Sequence, residues 1–324
     1  MAPGGEMFRY PQHFGENVLR HGSHEWLPYS KDEVRLKSSN NNLSFFCSHY
    51  TRSWEKIKHQ PIRPGIVWQE GGIAMLQRPI YCAGSTPAVR YAAELLETRG
   101  IPITHTLGED TGCLLLDVPS FDPAGNLRGG RKLEELLQQL PDNALIAGGN
   151  LNHPLLEGLE TMDLLRDETY LAKNAAITAH CTLQIAASAL PVTLAEAPTL
   201  ILGWGRIGKC LAGLLKALGA PVTVTARNPA HRAMLLALGY AAAEARELDP
   251  APYRLIINTV PVPQLTLEQL RRAPRAVKLD LASRRGLPGS DAVWARGLPG
   301  IHAPESSGAL IAETLLRLGE EAVQ

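Results

Sequence analysis

The residues with the clearest chemistry are Gly203, Gly205 and Gly208, in the run Thr199-Leu-Ile-Leu-Gly-Trp-Gly-Arg-Ile-Gly-Lys209. They have the G-x-G-x-x-G spacing. An apolar run, Leu200 to Leu202, comes before them, and Ile207, Leu211, Leu214, Leu215 and Leu218 follow at helical spacing. A strand, a glycine turn and a helix in that order form a cradle for a dinucleotide. Gly203 permits the sharp turn, Gly205 lets backbone N–H groups approach a pyrophosphate, and Gly208 lets the helix pack close to the strand. The helix N-terminus then faces the anion. Arg206 and Ile207 lie between the last two glycines and complete the candidate diphosphate loop. A second strand, Val222-Thr-Val-Thr-Ala226, begins soon after the helix, as a βαβ unit requires. The plainer alternative is a glycine-rich turn that binds nothing.

The end of that second strand selects the cofactor. An NAD site usually places Asp or Glu there, accepting from both ribose hydroxyls and repelling a 2′-phosphate. This chain has Arg227-Asn228, with His231 and Arg232 a helical turn on. A guanidinium suits a phosphate dianion through charge-assisted, often bidentate hydrogen bonds. The expectation is therefore NADP in preference to NAD. A solvated surface arginine is the alternative for Arg227, and ordinary first-turn helix residues for His231 and Arg232.

These groups need a framework, and the chain's 324 residues suggest about two domains. Charge is balanced, 32 Lys+Arg against 32 Asp+Glu, which gives no support for a nucleic-acid partner or an anionic membrane surface. No apolar run approaches the roughly 20 residues of a membrane span, and no signal-peptide pattern opens the chain. The five cysteines are scattered, without C-x-x-C or zinc-like spacing; reduced thiols in a cytoplasmic protein is the economical reading. The sequence leaves the oligomeric state open, a homo-oligomer included.

Along the chain, residues 1–77 show no sustained period and read as a poorly structured extension, translated from upstream of the natural start. The alternative is a partner-binding arm anchored by Trp26, Trp54 and Trp68. From Arg78 to residue 165, strands at Pro79–Ala83, Ile101–Thr104, Cys113–Val118 and Ala144–Gly148 alternate with helices, one of them capped by Thr86 with Pro87 at its first position. That alternation predicts a small open α/β domain with a parallel sheet. Gly84-Ser85-Thr86 resembles a phosphate-type turn. Residues 166–190 read as a bridging helix rich in small side chains, with Thr178 and His180 near its beginning. Residues 191–304 read as the nucleotide domain and 305–324 as a final helix packing back toward the first. The expected class is α/β: two open parallel-sheet domains, the C-terminal one a Rossmann-type dinucleotide-binding domain. Within it the strand Tyr253–Pro261 ends in Asn258 and Thr259, candidates for the nicotinamide side, because ligands sit at the carboxyl ends of parallel strands.

Taken together, Gly203-Trp-Gly-Arg-Ile-Gly208, Ala226-Arg227, Ile257-Asn-Thr-Val-Pro261, Leu279-Asp-Leu-Ala-Ser-Arg284 and Leu298-Pro-Gly-Ile-His-Ala-Pro304 resemble the family of dipicolinate synthase A subunits. The likeness is close over residues 164 to 320, weaker from 78 to 163, and does not reach the N-terminal extension. It implies NADP-linked oxidation of a dihydrodipicolinate-type ring to the aromatic pyridine dicarboxylate, and a flavoprotein-like second subunit. One segment departs: where the family commonly reads Thr-Ala-Glu-Gly, this chain reads Thr178-Ala179-His180-Cys181. If the family's glutamate handles substrate, the site or the substrate has changed. Alternatives are a non-catalytic, NADP-binding regulatory subunit and a dehydrogenase of another small carboxylate.

A small dicarboxylate substrate calls for cations and donors. Arg284, past the carboxyl end of the strand Val277–Ala282, is the first choice for a carboxylate clamp, since guanidinium matches carboxylate geometry. Aromatisation also releases a proton. His302, read here at the end of a short last strand Ile301–Ala303, is the first candidate for the base, and His180 the second. Ser306 and Ser307, beside a helix N-terminus, either bind a carboxylate or cap the helix.

Overall fold

Every pair of neighbouring strands runs parallel, in two separate sheets. The computed structural model describes residues 78–122, 124–289 and 291–321. The expectation of a poorly structured extension over residues 1–77 lies outside them.

The first sheet is built from β1 (Ile80–Cys82), which leads through α1 (Pro87–Thr98) to β2 (Ile103–Thr104), then β3 (Cys113–Leu115), α2 (Leu133–Leu137), β4 (Leu145–Gly148) and β5 (Thr161–Asp163). Its order is β2-β1-β3-β4-β5. Strands buried on both faces read as unbroken apolar runs, and β3 and β4 are buried at every position. One face (Ile80, Cys113, Leu115, Leu145) joins the main core; the other (Tyr81, Leu114, Ile146) packs on Leu133 and Leu136 of α2. The period-2 alternation of strand side chains separates the two sets.

A long helix, α3 (Glu168–Ala189), then leaves the first sheet. Asp167 caps it by accepting from Tyr170 N at 2.6 Å. It ends one residue before Leu190, which precedes Pro191 and is therefore held extended. Ala175, Ala179, Cys181 and Ala186 are buried along it, and short side chains there let neighbouring helices approach.

The second sheet follows: β6 (Thr199–Leu202), α4 (Arg206–Ala217), β7 (Val222–Thr225), α5 (Pro229–Ala237), β8 (Ala241–Ala243), β9 (Leu255–Asn258), α6 (Leu267–Arg271), β10 (Val277–Asp280) and β11 (Val293–Trp294). The order β11-β10-β9-β6-β7-β8 reverses direction between β6 and β9, the point where a doubly wound sheet opens its ligand crevice. Leu200, Leu202 and Ile256 pack with Leu265 and Leu270 on one face; Ile201, Val224, Ile257 and Leu279 join Leu211 and Leu215 on the other.

Two helices close the chain, α7 (Leu298–His302) and α8 (Pro304–Glu321). α8 packs on α1, and Leu310, Ile311 and Leu315 are buried in the same core as Val89, Ala92 and Leu96. Arg317 on α8 also donates to the Asp167 carboxylate at 2.5 Å. The segment Ile301–Ala303 is thus not a strand. Pro299 sits in the first turn of α7, where its fixed φ favours helix, and the last helix begins at Pro304 instead of Ala309. Among the described residues no helix is long and apolar enough to cross a membrane.

Candidate nucleotide-binding site

The glycine turn has the geometry its spacing predicts. Gly203 stands at φ +107°, and a Cβ on it would lie 2.5 Å from Val260 Cγ2 and 2.7 Å from Thr259 Oγ1. A Cβ on Gly208 would lie 2.2 Å from the Gly203 carbonyl oxygen. Only hydrogen fits at either place. Gly205 caps α4 with no side chain of its own, so the first-turn N–H groups at Arg206, Ile207 and Gly208 keep the exposed dipole end of a twelve-residue helix. Arg206 itself is not aimed at this turn: its guanidinium pairs with Glu168 at the start of α3.

Beside the turn lies a cavity of about 520 Å³, lined among others by Gly203, Trp204, Arg227, Asn228, His231 and Gln264. Among the described residues no Asp or Glu lines it. Arg227 is exposed there, and its side chain makes no hydrogen bond or ion pair with the described residues, so the guanidinium is open to a ligand. Arg232 is occupied elsewhere: Nη1 donates to the carbonyls of Ala226 and Arg227 at 2.7 and 2.8 Å and lies 3.6 Å from Glu244. It therefore shapes the turn that presents Arg227. The Asn228 side chain caps α5, accepting from Ala230 N at 2.8 Å, so that oxygen is spent on the helix. Trp204 forms one wall, with Lys209 Nζ 5.8 Å from its ring centroid and the Tyr240 ring tilted against it at 6.0 Å.

The candidates on the nicotinamide side change role. Asn258 is wholly buried; Nδ2 donates to Asp280 Oδ1 at 2.8 Å and to the Val260 carbonyl at 2.9 Å. Both its donor hydrogens are used inside the chain, so the Asn258 amide shapes the loop. Thr259 is half-buried and donates through Oγ1 to the Leu202 carbonyl at 2.9 Å, beside Gly203. It keeps lone pairs toward the turn.

Asp280 organises the next loop, a role that its place in an apolar strand does not announce. Its carboxylate accepts from Ala282 N, Gly286 N and Leu287 N as well as from Asn258. The loop 282–287 is folded around it, and Arg284 is exposed at the loop's outer turn, its side chain making no hydrogen bond or ion pair with the described residues. In the first sheet Asp117 has the same job. It accepts from the backbone N and hydroxyl of both Ser85 and Thr86, at 2.6 to 3.1 Å. The Gly84-Ser85-Thr86 turn is therefore already filled by a carboxylate of the chain itself, and the likeness to a phosphate turn ends there. An Asp at the carboxyl end of an apolar run was the signal for both.

The proton-transfer candidates also move. His302 closes α7 rather than a strand and is exposed. His180 is the thirteenth residue of a helix that begins at Glu168, so it stands mid-helix and exposed, not at a helix start. The next residue, Cys181, is buried, and burial raises its thiol pKa. α7 packs against α3, so the two histidines ride on touching helices. Ser306 and Ser307 fall inside the first turns of α8, and Ser307 N donates to the Ala303 carbonyl.

Two open parallel α/β sheets, the second with a glycine-turn crevice at its switch point, define a two-domain α/β protein with a Rossmann-type second domain. No family model matches the chain. The A subunit of Bacillus subtilis dipicolinate synthase is 29% identical over 204 residues, 57% of this chain and 68% of that protein. The crystal structure of the dipicolinate synthase A subunit from Bacillus halodurans superposes with a TM-score of 0.66 at 23% identity, covering 76% of this chain and 98% of the other. The crystal structure of the Bacillus subtilis protein gives 0.64 at 24%, covering 76% and 97%. The resemblance to dipicolinate synthase A subunits thus holds in sequence and in fold.

Proposed function

We propose that this chain is an NADP-linked oxidoreductase of a small dicarboxylate, of the dihydrodipicolinate type. The observation that carries the reading is the nucleotide cleft: a helix N-terminus without a side-chain cap and, among the described residues, a wall free of carboxylates and an unpaired Arg227 where a 2′-phosphate would arrive. In this reading the backbone at Gly205, Arg206, Ile207 and Gly208 holds the diphosphate, Arg227 receives the extra phosphate, and Thr259 borders the nicotinamide. When bound, the nicotinamide supplies the hydride acceptor. Arg284, held out by the Asp280-centred loop, pairs with a substrate carboxylate. His302 takes the proton released as the ring becomes aromatic, with His180 as the second candidate. The Bacillus subtilis relative is one subunit of its synthase, which supports a second chain as partner here; in this reading that chain is flavoprotein-like and the cell compartment is the cytoplasm.

A dehydrogenase acting on a different small carboxylate is the second reading. It is favoured by His180-Cys181, which stand on the bridging helix where the family commonly carries Glu-Gly.

Titrating the full chain with NADPH and with NADH, followed by quenching of tryptophan emission, tests the cofactor assignment, because Trp204 lines the cleft. Tight binding of NADPH and weak binding of NADH supports it; no binding of either sinks it. Turnover of dihydrodipicolinate with NADP, read from the ultraviolet absorbance of pyridine dicarboxylate with the partner chain present, separates the two substrates.

A further inference from the structure

At the carboxyl end of the first sheet, two adjoining cavities of about 310 and 510 Å³ share Tyr81, His105 and Arg131 as lining. The smaller reaches Arg90, and the larger reaches Lys132 and Glu135. None of the described residues lining the nucleotide cleft lines either of them.

Arg131 is brought there by the backbone. Gly129 and Gly130 precede it at φ +87° and +79°, and a Cβ on Gly129 would lie 2.7 Å from Ser85 Cβ. The segment can rest against the β1 turn only as glycine. Arg131 Nη1 then donates to the Tyr81 hydroxyl, with Cζ 5.6 Å from the ring centroid. Tyr81 is 8% exposed. Its oxygen accepts from Arg131, and its own hydrogen has no acceptor among the described residues. A guanidinium has five N–H donors, and Arg131 uses one on a protein partner. The side chains of Arg90 and His105 make no hydrogen bond or ion pair among the described residues.

The charge follows the same direction. Arg90, Arg131 and Lys132 are positive. Against them stand Glu135, 3.4 Å from Lys132, and the nearby Asp117, whose oxygens are taken by Ser85 and Thr86. Three cations against two carboxylates, with donors unmatched among the described residues, make a concave site suited to an acceptor anion. A planar guanidinium fork selects a planar carboxylate over a spherical anion.

We propose that this cleft binds a small carboxylate, gripped by the free edge of Arg131 and by the Tyr81 hydroxyl, with Arg90 and His105 as further donors. The inference takes its substrate class from the proposed function, and it makes the first sheet the anchoring side for the dicarboxylate.

Isothermal titration of the full chain without nucleotide tests it. Pyridine-2,6-dicarboxylate is the first titrant, inorganic phosphate the second and NADPH the third, each against wild type, Arg131→Gln and Tyr81→Phe. The expected result is dicarboxylate binding to wild type, weakened at least about tenfold by Arg131→Gln and several-fold by Tyr81→Phe, with NADPH affinity unchanged. No dicarboxylate binding by wild type, equal affinity in both variants, or tighter binding of phosphate overturns the assignment. Where Arg131→Gln also loses NADPH it has misfolded, and Tyr81→Phe, which deletes one oxygen from a buried ring, decides. Failure of NADPH to bind while the dicarboxylate still does would instead sink the proposed cofactor and leave this site standing.

Discussion

Asn258 and Asp280 meet at the carboxyl ends of adjacent strands β9 and β10, Nδ2 to Oδ1 at 2.8 Å, with neither side chain exposed to water. The pair ties the segment after β9 to the loop after β10. Three backbone N–H groups converge on the same carboxylate. The crevice wall is thus fixed by a buried charge whose donors are all internal.

Asp280→Ala leaves those three N–H groups and one Asn258 hydrogen buried without an acceptor. The expected cost is about 3 to 5 kcal/mol of folding stability, since each buried donor left unsatisfied costs about 1 to 3 kcal/mol and the loop relaxes to recover part of it. Urea unfolding followed by circular dichroism measures it. A loss below about 1 kcal/mol would mean that water replaces the carboxylate and that the loop around Arg284 is not built on it.

In the proposed reading, Arg227 is the residue that separates the two cofactors. It lines the cleft without an internal partner among the described residues, so Arg227→Ala removes nothing the fold uses. NADPH affinity is expected to drop by about tenfold to a hundredfold, the worth of a charge-assisted phosphate contact, with NADH affinity unchanged and the melting temperature unmoved. Equal losses for both nucleotides would place Arg227 outside the phosphate site.

Gly205 and Gly208 are glycine for different reasons, and alanine tells them apart. Nothing lies within 4 Å of a Cβ on Gly205, whereas one on Gly208 meets the Gly203 carbonyl at 2.2 Å. Gly208→Ala is expected to cost about 1 to 3 kcal/mol of stability along with nucleotide binding, because backbone must move. Gly205→Ala is expected to stay within about 1 kcal/mol of wild-type stability and still bind NADPH poorly, because in the proposed reading the diphosphate occupies that space. Thermal melts and NADPH titrations of the two variants, run together, give the comparison.

The parts legible in the sequence were those with local periods. The apolar runs Leu200–Leu202 and Leu255–Ile257 and the glycines between β6 and α4 carry their own signal, and two parallel sheets follow from strand–helix alternation. What failed depended on partners distant in the chain. Asn258 looked like a ligand residue because strand ends face the crevice, but Asp280, 22 positions on, takes its amide. Gly84-Ser85-Thr86 looked like an anion turn, but Asp117 supplies the anion from the next strand but one in sequence. Ile301–Ala303 was too short for any period, and Pro299 tipped it into helix. Arg131 gave no signal at all, since two left-handed glycines and a buried tyrosine 50 residues earlier place it.

Cys82 and Cys113 point to an alkaline limit on stability. They lie diagonally on one face of β1 and β3. Burial pushes the Cys113 thiol up to about 12, with the neighbouring Cys82 adding to it, and burial pushes Cys82 up to about 11 from an ordinary 9.0. Above pH 9 the unfolded chain gives up these protons while the folded chain keeps them. The unfolded state then binds fewer protons, and stability falls as pH rises. The contribution is whole below pH 9 and is lost progressively toward pH 11 to 12, with a slope of at most about 1.4 kcal/mol per pH unit for each thiol. Urea midpoints at pH 8, 9 and 10 are expected to decline for wild type. Cys113→Ala starts about 1 to 2 kcal/mol lower, for the cavity it leaves, but its decline is shallower. Parallel declines in the two proteins would rule out the Cys113 thiol as a source of the pH dependence.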